Sequence, residues 1–218
     1  LEGVVLSQKK FTLEFLQDSG FTDSKPASTP LPLNCKLQPD EGELLVDPTY
    51  YRTMIGKLNF LTNTRPDLSF TAQTLSQFMQ QPRTTHLQAL QHTLRYIRST
   101  IGKGILLQGS DQLSIQAYSD SDWAACPFSR RSTTGYIILL GSSPISWKSK
   151  KQSTVSRSSS EAEYRAMLQA ATEITWLVRL LEEIGVPSLK PVTLNCDNQS
   201  AIHIGRNPVF HERTKHIE

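Results

Sequence analysis

Between residues 159 and 184 the apolar residues return with a helical period. Counting from Glu163, the residues Met167, Ala170, Ile174, Leu177, Val178 and Leu181 fall at +4, +7, +11, +14, +15 and +18. That is a single stripe down a long helix, and it has to be buried against something. The neighbouring segments offer a sheet. Before the helix, Leu113, Ile115 and Ala117 alternate with polar residues, the period of a half-buried strand. Residues 135–141 and 144–148 read as two more strands, joined by a Gly-Ser-Ser-Pro turn. After the helix come a strand over 192–197 and a short helix over 198–206. The order strand, strand, strand, helix, strand, helix predicts a mixed α/β layout whose first three strands form an antiparallel meander.

Acids stand at three unusual places in that layout. The first strand runs into Asp120 and Asp122, whose side chains are expected to leave opposite faces, one toward a site and one toward solvent or a turn. Glu163 lies on the sheet-facing stripe, in the first turn of the long helix. A carboxylate there needs a reason, because burying an unpaired charge is costly. Asp197 ends the later strand. All three can converge at one edge of a sheet. Converging carboxylates can hold two divalent ions that activate a water and stabilise in-line displacement at phosphorus. Hard oxygen donors with no His or Cys pair nearby favour Mg²⁺ or Mn²⁺ over zinc.

Each acid also has a plainer reading. Asp-x-Asp after a strand is commonly a turn. Ser158 with Glu161 and Ser160 with Glu163 both fit a capping box. If Ser158 caps, Glu161 fills the box and Glu163 is left for chemistry. Glu161 is expected off the buried face, paired with Arg165 at i,i+4. Asp197 or Asn198 can cap the short helix.

The first half of the chain has a different period. Residues 1–6 read as a short strand, Ser7 as the cap of a helix over 8–18, and Gly20 as its stop. Lys25-Pro26-Ala27-Ser28-Thr29-Pro30-Leu31-Pro32 makes 23–48 a loop. Asp47-Pro48 opens a helix with Tyr51, Met54, Ile55, Leu58 and Leu61 on one face. Arg65-Pro66-Asp67 breaks it and opens another, with Leu68, Ala72, Leu75 and Phe78-Met79. Thr84 or Thr85 starts a third, with Leu87, Leu90, Leu94 and Ile97. Residues 47–100 therefore predict a small three-helix bundle. The third helix and its exit carry Arg95, Arg98 and Lys103, either as a solvated face or lying along a phosphate backbone. His86 and His92, six apart, do not share a face as a ligand pair would and read as structural. Gly109-Ser110-Asp111 marks the expected boundary, giving domains 1–109 and 110–218.

With 218 residues the chain is long enough for one large domain or two small ones with real cores. Its net charge of +3 permits nucleic acid as a partner without demanding it. No apolar run is long enough for a transmembrane helix. Cys35, Cys126 and Cys196 are odd in number and far apart, so neither a disulfide framework nor structural zinc is expected, which fits a reducing compartment. The opening segment reads like the middle of a sheet, and the chain is expected to be a piece of a longer polypeptide.

Several motifs in fixed order carry a resemblance. Tyr118-Ser119-Asp120-Ser121-Asp122-Trp123-Ala124, Arg130-Arg131-Ser132-Thr133-Thr134-Gly135-Tyr136, Ile145 to Gln152, Ser159-Ser160-Glu161-Ala162-Glu163-Tyr164 and Asn195-Cys196-Asp197-Asn198 closely resemble the ribonuclease H domain of copia-type LTR retrotransposon Pol polyproteins. Upstream, Lys25 to Pro30, Tyr51-Arg52, Ile55-Gly56-Lys57-Leu58, Thr64-Arg65-Pro66-Asp67 and Leu75-Ser76-Gln77-Phe78-Met79 resemble the thumb and connection region of the same polyprotein's reverse transcriptase. The resemblance covers essentially the whole chain.

It implies an α/β fold: a mixed-sheet ribonuclease H-like domain after a small, mainly helical thumb/connection region. It implies cleavage of the RNA strand of an RNA–DNA hybrid with two Mg²⁺ (or Mn²⁺) ions, held by Asp120, Glu163 and Asp197. Asp122 is implied to be a neighbour rather than a ligand. Lys148, Lys150, Lys151 and Arg157 are placed to meet phosphates near the site, with Arg95 and Arg98 further upstream. The implied partners are the hybrid and the rest of Pol, its polymerase palm and fingers and its integrase, with no membrane. Such products work in cytoplasmic particles and later in the nucleus. The polymerase's Tyr-x-Asp-Asp is absent, so no DNA synthesis is expected from this chain alone. The family's fourth acid lies beyond one further strand, past His216-Ile217-Glu218, and Glu212 and Glu218 do not match it. The alternative is an inactive retroelement remnant that keeps nucleic-acid binding; an integrase or resolvase core fits the motif order less well.

Overall fold

The computed structural model describes residues 3–109 and 113–206. In chain order the elements are β1 (Gly3–Leu6), α1 (Lys9–Ser19), α2 (Thr49–Leu61), a 3₁₀ turn (Pro66–Leu68), α3 (Ser69–Ser76), α4 (Thr84–Ser99), β2 (Ile105–Gln108), β3 (Ile115–Asp122), β4 (Thr133–Leu140), β5 (Ser143–Lys151), α5 (Ser159–Glu183), β6 (Thr193–Asn195) and α6 (Gln199–Arg206). The layout is α/β, with a mixed four-stranded sheet. Two compact units divide the chain: Val5–Ile105, and Leu1–Val4 with Leu106–Glu218. The expected positions of Glu212 and Glu218 and most of the expected 109–111 turn lie outside the described residues. Among the described residues no helix is long and apolar enough to cross a membrane.

The first unit is a helical bundle. Phe15 and Leu16 of α1 join Tyr51, Ile55, Leu58 and Leu61 of α2, Ala72 and Leu75 of α3, and Leu90, Leu94 and Ile97 of α4 in one buried cluster. Four helices therefore share the core expected of three. Ser7 does not cap α1. The cap position is Gln8, which makes no side-chain cap bond, and the helix closes on Gly20 at φ 74°, where a left-handed residue lets its N–H reach the last carbonyls. The cap position of α2 is Pro48 rather than Asp47 and makes no side-chain cap bond, while Asp47 Oδ1 accepts from Thr49 N at 2.8 Å from one residue further out.

The proline-rich loop has no ladder of its own, so its carbonyls need donors from elsewhere. Helix α4 and the residue before it supply them. His86 Nε2 meets Gln38 O at 2.8 Å, Arg83 Nε donates to Pro39 O at 2.8 Å, and His92 Nε2 meets Thr29 O at 3.0 Å. Thr93 Oγ1 donates to Pro30 O at 2.9 Å and Arg98 Nε to Thr22 O at 2.7 Å. His86 is fully buried and stacks on Phe78 with ring centroids 3.8 Å apart. Both histidines are structural, as their spacing predicts.

Arg65 is 1% exposed. Its Nε and Nη2 donate to the two oxygens of Asp67 at 2.9 and 2.7 Å, and its guanidinium also reaches the carbonyl and hydroxyl of Thr100. Tyr96 Oη donates to Asp67 Oδ2 at 2.8 Å. Residues expected only to break a helix are thus the polar centre of the bundle.

In the second unit the sheet order is β5-β4-β3-β6. β3 to β4 and β4 to β5 are antiparallel, the expected meander, and β6 adds parallel to β3. Ile115 and Ala117 of β3 and Tyr136 and Ile138 of β4 face Ala170, Ile174, Leu177 and Val178 of α5. The stripe on α5 lies on the sheet because a helix face and a strand face with these two periods can cover one another. β4 and β5 begin earlier and β5 ends later than expected, since Thr133, Thr134, Ser143, Ser149, Lys150 and Lys151 also take part in the pairing. β6 is shorter than expected, so Asp197 stands just beyond a strand rather than in it.

Candidate active site

Ser158 caps α5, its side chain accepting from Glu161 N at 3.2 Å. Glu161 turns back to take Arg157 N at 2.8 Å and pairs with Arg165 Nη2 at 3.1 Å. These partners let it sit 4% exposed, which corrects the expectation that it lies off the buried face. The capping work is therefore done without Glu163. At α6 the cap is Asn198, whose Oδ1 accepts from Ala201 N at 2.9 Å. Asp197, the other candidate, is exposed one residue earlier.

Asp120 and Asp122 do not leave opposite faces. Side chains at i and i+2 of a strand share a face. Accordingly both are exposed, while Ser119 and Ser121 between and before them are buried. The last paired residues of the parallel strands are Tyr118 and Asn195. Asp120 and Asp197 each stand two residues past that pair, at the carboxyl ends of adjacent strands.

Glu163 is 5% exposed. Its Oε1 accepts from Ser121 N at 3.0 Å, and its Oε2 accepts from the Cys196 thiol at 3.8 Å. Burial pushes its carboxyl up to about 7, with the Asp120 and Asp197 carboxylates adding to the rise and the Ser121 N–H opposing it. Partial desolvation and the Asp120 charge also hold Asp122 above the usual range. One ligand atom each from Glu163, Cys196 and Asp197 lies within 4.8 Å of the others. Asp120 is outside that tight group and acts on Glu163 through its charge and a side-chain hydrogen bond. Among the described residues no lysine, arginine or histidine forms an ion pair with Glu163. A buried carboxyl beside two further carboxylates, with no cation opposite, suits a divalent ion held by oxygen.

Gln152 is what the sequence reading missed. It is 3% exposed, and its Nε2 reaches Ala162 O at 2.9 Å, Thr134 Oγ1 at 3.1 Å and Ser121 Oγ at 3.4 Å. Its Oε1 accepts from Ser156 Oγ at 3.0 Å. One amide thus ties β3, β4 and the first turn of α5 together around Glu163. A glutamine in a polar stretch carries no periodic signal of such burial. Gln152→Leu is expected to destabilise this unit by about 2 kcal/mol, since it strands several buried polar groups. Urea unfolding followed by tryptophan fluorescence checks it.

The basic residues divide. Lys148 and Lys150 are exposed on β5, paired with Tyr136 and Thr134, and Arg157 is exposed before α5. Lys151 instead donates to Cys126 Sγ at 3.1 Å and lies 4.4 Å from the Phe128 ring centroid. Arg95 and Arg98 belong to the helical unit and are half-buried. Arg98 clasps the loop, and Arg95 Nη2 lies 3.4 Å from His92 Nδ1.

The chain is 46% identical over 215 residues, 99% of its length, to the retrovirus-related Pol polyprotein from transposon RE1 of Arabidopsis thaliana. It is 45% identical over 216 residues, again 99% of its length, to the Pol polyprotein from transposon RE2 of the same plant. To the Pol polyprotein from transposon TNT 1-94 of Nicotiana tabacum it is 36% identical over 222 residues, covering 98% of the chain and 16% of that protein. The chain belongs to the family of retrovirus-related Pol polyproteins of transposons. The copia-type resemblance carried by the motifs is borne out. This Pol-family chain spans 15% of the length of the RE1 and RE2 proteins. No protein-family model and no solved structure matches it. Asp120, Glu163 and Asp197 all fall inside the stretch it shares with RE1, as do the helical unit and its Arg65 centre.

Proposed function

We propose that the sheet unit of this Pol-family chain is a ribonuclease H-like domain that cleaves the RNA strand of an RNA–DNA hybrid, with the helical unit as the thumb and connection region of a reverse transcriptase. The observation that carries this reading is the freeing of Glu163 and Asp197. Ser158 and Asn198 do the capping, and the two acids are left beside each other with Asp120 acting on Glu163. Asp120, Glu163 and Asp197 are the proposed ligands of two Mg²⁺ or Mn²⁺ ions. When bound, such ions supply an activated water and charge stabilisation for an in-line displacement at phosphorus. The Ser121 N–H holds Glu163 Oε1 in position, and Gln152 fixes the helix turn and strands that carry it. Lys148 and Lys150 on β5 and Arg157 before α5, all exposed, are the proposed contacts to the hybrid's phosphates, where they neutralise charge without reading sequence. The 2′-hydroxyl and the groove shape are what would distinguish the RNA strand. The remainder of the Pol polyprotein is the proposed partner.

The test is hydrolysis of an end-labelled RNA–DNA hybrid by the full chain, beside duplex DNA of the same sequence. The expected result is RNA cleavage with Mg²⁺ or Mn²⁺ that stops on adding a chelator and never touches duplex DNA. A folded chain that binds the hybrid but does not cut it would overturn the nuclease reading in favour of an inactive remnant.

A further inference from the structure

We infer that Cys196, with Glu163 and Asp197, forms a site for a thiophilic divalent ion, Zn²⁺ or Cd²⁺, which competes there with the hard ions. The three cysteines are too scattered in the sequence to suggest structural zinc, yet the fold brings Cys196 against two carboxylates. Among the described residues this is the group of three or more candidate ligands whose donor atoms converge.

The spacing suits zinc. Bonds of about 2.3 Å to sulfur and about 2.1 Å to a carboxylate oxygen, at a tetrahedral angle, set the two donors about 3.6 Å apart. Cys196 Sγ stands 3.8 Å from Glu163 Oε2. The third donor, from Asp197, lies within 4.8 Å of both and belongs to an exposed side chain, so a rotamer change closes the set. Three protein ligands leave a fourth tetrahedral position for water.

The charge balance around the same donors also favours a cation, since the partners of Glu163 are the Ser121 N–H and the Cys196 thiol. Glu163 is 5% exposed and faces acidic neighbours, and among the described residues it has no cationic partner. The thiol then decides which cation gains most. Mg²⁺ takes oxygen ligands and derives little from sulfur, whereas zinc and cadmium bind thiolate strongly. On coordination the Cys196 S–H bond breaks, the metal–sulfur bond forms and the proton leaves to solvent. Binding rests on this donor geometry alone; its inhibitory consequence rests on the nuclease reading above.

The direct experiment is titration of the metal-free chain with Cd²⁺, followed by the ultraviolet thiolate-to-cadmium charge-transfer band. The band is expected to appear, to vanish in Cys196→Ser, and to persist in Cys35→Ser and Cys126→Ser. Glu163→Gln, which keeps the thiol, should weaken binding at least about tenfold, the scale on which even the outer partners of a metal ligand act. Circular dichroism checks that each variant is folded. A band that survives Cys196→Ser, or no band in the folded parent, overturns the inference. In a second arm, Zn²⁺ added to the Mg²⁺-supported cleavage reaction should inhibit the parent at about tenfold lower concentration than Cys196→Ser. A cadmium band in a chain that never cleaves hybrid would uphold this site while overturning the nuclease reading. Cleavage without any band would do the reverse.

Discussion

Glu163→Gln is expected to abolish the proposed metal-dependent hybrid cleavage and, in the same molecule, to stabilise the metal-free chain above neutral pH. The loss should be on the order of a thousandfold, about 4 kcal/mol of transition-state stabilisation. The amide keeps the size of the side chain and can still accept from Ser121 N, but it cannot supply the charge a divalent ion needs. The gain in stability follows from the carboxyl's environment. Burial, with Asp120 and Asp197 nearby, raises Glu163 from 4.5 to about 7. A raised carboxyl contributes stability that is fully present below its unfolded value and is lost as pH rises through the folded value. The metal-free parent should therefore weaken between about pH 4.5 and 8, and Glu163→Gln should not share that slope. Each pKa unit is worth about 1.4 kcal/mol, and solvent screening at the open end of the site reduces the total to about 1–2 kcal/mol. Urea unfolding at pH 5.5 and pH 8, in chelator, measures it. Equal slopes in parent and variant would show that Glu163 is not the strained group. Adding Mg²⁺ should remove the parent's disadvantage at pH 8, because the ion favours the ionised carboxylate.

In the helical unit the largest effect is expected at Asp67. Asp67→Ala leaves the Arg65 guanidinium, 1% exposed, without its carboxylate; because Asp67 itself is about a third exposed and solvent screens the pair, the expected cost is about 2 kcal/mol. The loss extends to Tyr96, whose hydroxyl donates to the same oxygen. Replacing both partners by apolar residues, Arg65→Met with Asp67→Leu, should recover much of it, because neither charge is then stranded. Trp123, Trp147 and Trp176 all lie in the sheet unit, so fluorescence follows that unit and far-ultraviolet circular dichroism adds the helical one. Asp67→Ala should shift the dichroism transition and leave fluorescence nearly unmoved. A change below about 1 kcal/mol would show the network to be marginal. Partial burial opposes ionisation of Asp67, but the Arg65 hydrogen bonds and charge, with the Tyr96 hydroxyl, outweigh it and hold the carboxyl below 3.8. A lowered carboxyl contributes stability that is present above its unfolded value and lost as pH falls through the folded one. The Asp67 contribution is thus expected at neutral pH and should fade in acid, opposite in sense to Glu163.

Much of the architecture is legible in the sequence. The stripe from Glu163 to Leu181 specifies a helix lying on a surface, and the alternation at 113–117 specifies a surface with one apolar face. Both follow from periods of about 3.6 and 2, which depend on local geometry alone. The bundle helices announced themselves in the same way, through Tyr51, Ile55, Leu58, Leu90 and Leu94. The proline-rich loop was readable because proline forbids the alternatives. Residue order across several motifs carried the family, which the relatives bear out.

What pattern could not settle was which of two adjacent polar residues does the ordinary work. Ser158 or Ser160 could cap α5, and Asp197 or Asn198 could cap α6. The choice depends on where each helix begins to within a residue, and propensity does not resolve that. Only the fold assigned the caps to Ser158 and Asn198, and with them released Glu163 and Asp197. The same holds for Arg65, Gln152 and Arg98. Polar side chains gain or lose their partners through residues 35, 18 and 76 positions away, respectively. Local sequence by itself determined the elements and the faces they bury, since those rest on each residue's own backbone and its near neighbours. Tertiary structure alone decided which polar groups find partners and which acids are left to face one another, because hydrogen bonds and charges act across space rather than along the chain.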